Sequence, residues 1–149
     1  MNFKKENTNK KIINTSMIYM ILALAAGVFY REFTKFTNFT GNTTLSVGHT
    51  HFLVLGMFFF LIVALFCKVV PELLEEKMFS RFYILYNISL PFMGGMLIVR
   101  GVLQVLAVEL STKINAMISG FSGIAHILIT IALVMFFLAL KKVFTNSNK

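Results

Sequence analysis

Three histidines carry the chemistry this sequence has to offer, and each falls in or at the mouth of a long apolar run. His49 and His51 stand in Gly48-His49-Thr50-His51, and His126 closes Ser122-Gly123-Ile124-Ala125-His126. A neutral imidazole nitrogen is a good ligand for iron, zinc or copper. An ionisable group at membrane depth is costly, so it marks function by default. Arg100 and Gln104, four residues apart, share one helical face within a third apolar run. Hydrolytic chemistry has no support: Asp is absent, and no Gly-x-Ser-x-Gly, His-Glu-x-x-His or phosphate-cradling loop occurs. The reading leans away from an enzyme.

The elements that hold these residues are read from the gaps between charges. Of 149 residues 57% are hydrophobic and 13% charged, against about a quarter charged in a soluble domain. Uncharged stretches of about 18 residues or more are long enough to cross the hydrocarbon as helices. The spacing predicts one membrane domain over residues 1–149 with spans at about 12–30, 47–68, 82–107 and 114–140. No alternation in ~10-residue segments favours a barrel. The fold expected is therefore all-α, a transmembrane four-helix bundle running up-down-up-down. Ala23-Leu24-Ala25 mimics a signal cleavage site, but the apolar stretch continues to Tyr30 and reads as a span.

Orientation follows from Lys and Arg. Four spans put ten of them on the side of the termini, from Lys4 to Lys149, and only Arg31, Lys35 and Lys113 opposite. The positive-inside rule then makes both termini cytoplasmic. The net charge of +8 is mostly this topology signal. It suits a lipid bilayer with anionic headgroups, and the dispersed bases do not suit nucleic acid. In the connection from Arg31 to Ser46, Phe33, Phe36 and Phe39 recur every third residue, as an interfacial helical turn would place them. Cys67 has no partner for a disulfide and reads as filler.

Depth joins these observations. At 1.5 Å per residue His51 lies roughly 5–10 Å below the outer end of the second helix, and Arg100 about 10 Å from that of the third. His126 is roughly 12–18 Å down the fourth. The polar groups thus gather in the outer half of one bundle. The second and fourth helices of such a bundle are diagonal, so inward histidines on them could hold a haem b by two axial imidazoles. Gly56, Ser119, Gly120, Ser122 and Gly123 would clear space for the ring, and Arg100, with Gln104 on the same face, would pair with a propionate. At positions i and i+2, His49 and His51 project about 200° apart, so one of them is the ligand. His49 shares a predicted stripe with Leu53, Gly56 and Phe60; His51 is deeper; the sequence does not choose. Electron transfer or gas sensing would follow.

Two other classes compete. His49, His51 and His126 could together bind zinc or copper in a metal-ion or small-solute transporter, although no thiolate or carboxylate lies at their depth. The chain could also be an accessory subunit or homo-oligomer, with its histidines bonded to neighbouring backbone. Arg100 could simply snorkel, and Pro91 with Gly94 and Gly95 could kink or pack the third helix.

The runs Val28-Phe29-Tyr30-Arg31-Glu32-Phe33-Thr34-Lys35-Phe36, Gly48 to Met57, Val99-Arg100-Gly101-Val102-Leu103-Gln104-Val105 and Ser119 to His126 resemble a bacterial family of small four-span membrane proteins. That family is catalogued as domain of unknown function 2871, and the likeness spans about Asn14 to Lys142. It implies a plasma-membrane protein of a Gram-positive bacterium and brings no activity. The His-x-His start of the second span also resembles the ligand-bearing helix of the haem-copper oxidase and nitric-oxide-response membrane proteins. Those have many more spans and histidines, so the likeness supports a single haem or metal centre and no oxidase chemistry.

Overall fold

The computed structural model describes residues 3–146, and the charge-free stretches become four antiparallel helices. They are α1 (Phe3–Phe36), α2 (Leu45–Val69), α3 (Lys77–Val105) and α4 (Thr112–Asn146), with a 3₁₀ turn at Pro71–Glu75. Each is long and apolar enough to cross a membrane, and no strand occurs among the described residues. The predicted all-α four-helix bundle stands. The helices outrun the predicted spans because a charge ends an apolar stretch without ending a helix. Thus α1 passes Arg31 and takes in Phe33 and Phe36, leaving only Phe39 in the connection.

The start of α1 and the end of α4 lie together. Lys142 on α4 reaches Glu76 beside the 3₁₀ turn at 2.8 Å, and Lys11 on α1 sits 5.3 Å over the Tyr83 ring of α3. This is the proximal end; the connections 37–44 and 106–111 make the distal end. Two helices stop at the distal end through a left-handed residue, Asn38 (φ 53°) after α1 and Ala107 (φ 49°) after α3. The backbone bonds Phe39 N–H to Thr34 O and Val108 N–H to Leu103 O close those ends in the manner of a Schellman cap. Glycine is the usual residue there, and without it the sequence does not mark the end of α3 at Val105, the one helix end that falls short of its predicted span.

The proximal half is packed by aromatic rings. Phe60, Phe82 and Tyr86 are fully buried. Phe82 and Phe136 stand 5.0 Å apart, Phe59 and Tyr86 4.9 Å, and Tyr19 and Phe60 5.6 Å. Lipid tails are as apolar as these rings, so association rests on close packing and interhelical hydrogen bonds. The Tyr86 hydroxyl donates to Leu55 O at 2.8 Å, the Ser16 hydroxyl to Met57 O at 2.8 Å, and the Tyr19 hydroxyl to Asn87 Oδ1 at 3.0 Å.

Two of those acceptors belong to a segment of π winding, Phe52–Phe58, inside α2. Gly56 lies within it, pressed so close to Tyr19 that a Cβ would stand 2.5 Å from the tyrosine Cβ. The wider turn changes the helical phase. The buried line on α2 runs Gly48, Phe52, Gly56, Phe60 in steps of four, so the predicted stripe through His49 and Leu53 is displaced by one residue at its distal end.

Candidate functional site

That displacement decides where the two histidines of α2 go. Gly48 lies on the buried line, so His49 and His51 fall on opposite flanks of it. His49 turns to α1, where Gly27 admits it: the imidazole Cβ and Cγ stand 3.6 and 3.8 Å from where a Gly27 Cβ would be. Its Nδ1 is buried without a hydrogen-bond partner. His51 shares the other flank with Leu55, Phe59 and Phe66. Phe59 and Phe66 both meet Phe136 of α4, at 5.6 and 6.3 Å between ring centroids. His51 is therefore on the α4 side of α2.

The same reasoning orients His126. The buried line of α4 is Ala125, Ile129, Ala132, Phe136, Ala139 and Val143, and His126 stands one residue off it. Phe144 lies about five whole turns beyond His126, so the two project in nearly the same direction. Phe144 lines an apolar groove of about 320 Å³ with Ile62, Leu65, Phe66 and Val69 of α2. His126 is accordingly on the α2 side of α4. The two helices run parallel, and the register of Phe59 with Phe136, carried distally, sets His126 level with the turn that bears His49 and His51.

In the proximal half this α2–α4 interface is filled by Phe59, Phe66 and Phe136. Distally α4 keeps contact with α3, while nearly every residue from Thr112 to Ile124 is exposed. Glycines mark the open part. A Cβ on Gly48, Gly95, Gly120 or Gly123 would meet nothing within 4 Å, although Gly48 is buried and Gly95 half-buried. Gly48 precedes His51 by three residues, and Gly123 precedes His126 by three.

Both ring orientations are held alike. His51 Nδ1 lies 2.7 Å from Val47 O, and His126 Nδ1 lies 2.7 Å from Ser122 O. A carbonyl only accepts, so Nδ1 carries a proton in each ring, and in the neutral ring Nε2 is then the nitrogen that offers a lone pair. This is the backbone-bonded arrangement expected of structural histidines, and it is equally the one that prepares an imidazole to bind metal through Nε2.

Arg100 is half-buried on α3, and its Nη2 donates to the Ser119 hydroxyl of α4 at 2.7 Å. Ser119 shares the helical direction of His126, two turns distal. Gln104 accepts the Thr44 N–H through Oε1 at 2.8 Å, bracing the start of α2 against α3. Among the described residues no three of His, Cys, Asp and Glu converge, so the three imidazoles are not brought together. Cys67 is buried in the proximal half, remote from all of them. The sequence offered Ser119 and Gly95 only as space-clearing and packing residues and did not show the bond from Arg100 to Ser119. The alternative of histidines bonded to neighbouring backbone describes His51 on Val47 and His126 on Ser122.

The sequence pattern of the family described as "Protein of unknown function (DUF2871)" matches residues 9–143. The chain belongs to that family. No curated protein and no solved structure matches it. The stretch that makes this a DUF2871 protein takes in all four helices and His49, His51, Arg100, Gln104 and His126. The groove between α2 and α4 is thus built wholly within the family's own domain.

Proposed function

We propose that this membrane bundle binds one haem b in the distal part of the α2–α4 groove, with His51 and His126 as axial ligands, and carries electrons. What supports this reading is the helical register from Phe59 and Phe136, which carries His51 and His126 toward one level, together with the Nδ1 of each ring engaged by its own backbone. A flat macrocycle needs a wide apolar slot, and the glycines one turn distal of each histidine leave room for it. When bound, haem would supply a one-electron couple. Two protein ligands leave no free axial position, which favours electron transfer over gas sensing. Arg100, two turns distal of His126, stands on the side where a propionate would reach.

The positive-inside count supports a distal end that is external and termini that are cytoplasmic, and the bacterial plasma membrane is part of the same proposal. The competing zinc or copper reading needs a third ligand, and His49 is turned to α1. Titrating haem into detergent-purified protein tests the proposal. Binding should saturate at one haem per chain, and His126→Ala should abolish it; full stoichiometric binding by that variant would sink the reading.

A further inference from the structure

The guanidinium of Arg100 opens on a second feature that the haem groove does not use. A cavity of about 120 Å³ lies between the distal end of α3 and the start of α4, lined by Arg100, Gln104, Asn115 and Ile118 with loop residues Val108 and Leu110 among its walls. Its polar groups point to one kind of ligand. Arg100 has five N–H donors and no acceptor; one described bond, to Ser119, engages it. It belongs to none of the described ion pairs, which are Lys10–Glu6, Arg31–Glu32 and Lys142–Glu76. Gln104 has spent its carbonyl oxygen on the Thr44 N–H, so its amide NH₂ remains to donate. Asn115 supplies a further side-chain amide from the first turn of α4, where the helix dipole favours negative charge.

A half-buried cation outside the described ion pairs, in a cavity furnished with amide donors, is poorly satisfied by itself and well satisfied by an anion. We infer that this cavity is a binding site for a small carboxylate, held by Arg100 and oriented by Gln104 and Asn115. The volume sets the size. A cavity of roughly 150 Å³ takes benzene, so about 120 Å³ suits a carboxylate of a few heavy atoms. The same chemistry could arrive as a free acid from the distal side or as a haem propionate, and the inference does not depend on haem being bound.

The experiment is a calorimetric titration of the full chain in detergent, free of Soret absorbance, with sodium acetate and separately with its neutral isostere acetamide. Acetate should bind saturably and acetamide should not. Arg100→Gln, which keeps amide donors and loses the charge, should weaken acetate at least tenfold. Asn115→Leu, on an exposed face where folding is not at stake, should do the same by filling the cavity. Equal behaviour of acetate and acetamide, or unchanged acetate affinity in Asn115→Leu, would overturn the inference. Repeating the titration after haem loading separates the sources: persistence of acetate binding identifies a free acid as occupant, and its loss identifies the propionate. Haem loading can fail without touching the haem-free titration, so the two proposals fail separately.

Discussion

The two halves of this bundle solve the problem of helix association differently. In the proximal half, Phe59, Phe60, Phe79, Phe82, Tyr86 and Phe136 interlock and the tyrosine and serine hydroxyls reach across to backbone oxygens of α2. In the distal half the same helices carry four glycines that face open space (Gly48, Gly95, Gly120 and Gly123), two imidazoles bonded to their own helix, and an arginine outside the described ion pairs. Packing alone would fill the distal half as it fills the proximal one. The contrast teaches that rings join all four helices proximally, whereas distally the buried contacts, such as Thr43 to Gly101 O and Leu45 against Gly101, tie α2 to α3 and leave most of the start of α4 exposed.

Substitutions can break this contrast, and the largest effect should come from the aromatic core. Phe136→Ala removes the ring that joins α2, α3 and α4 and should cost about 3–5 kcal/mol, read by unfolding in mixed detergent micelles. Adjacent glycines on α3 give a sharper comparison. Gly94 receives the end of the Phe52 ring, so Gly94→Ala should destabilise by roughly 1–3 kcal/mol. Gly95→Ala enters open space and should be neutral or stabilising by up to about 1 kcal/mol through helix propensity. Equal costs for the two would mean that the distal half is packed after all.

Smaller effects refine the picture. Tyr86→Phe keeps the ring and loses the bond to Leu55 O, and should cost about 1 kcal/mol; a much larger loss would show that this bond maintains the π winding. Ala107→Gly relieves the left-handed residue after α3 and should raise stability by about 0.5–1 kcal/mol. Thermal unfolding of both variants checks these values.

Much of the fold was legible in the sequence because lipid imposes a strict demand: every backbone polar group must be bonded within a helix or barrel. Four long apolar stretches, one of them carrying Arg100, therefore had to be four helices. The distal placement of Arg100 was legible for a related reason, since helical rise is fixed and the topology sets direction, although Arg100 bonds to Ser119, two turns distal of His126. What the sequence did not yield was rotation. The choice between His49 and His51 depends on the phase of α2, and that phase is altered by π winding where Gly56 meets Tyr19. That winding coincides with a contact between helices, which a helix-by-helix reading of the sequence does not see. The cavity beside Arg100 was hidden likewise, because Asn115 and Gln104 meet only through the antiparallel register of α3 and α4.

The account rests on His51 and His126 sharing a groove that His49 does not enter. The most direct test is the optical spectrum of haem-loaded protein before and after reduction, with His49→Ala and His51→Ala measured beside the parent chain. The account predicts a six-coordinate, low-spin spectrum for the parent and for His49→Ala, and loss of that signature in His51→Ala. Absence of any Soret band after haem loading, or an unchanged spectrum in His51→Ala with the signature lost in His49→Ala, would contradict it.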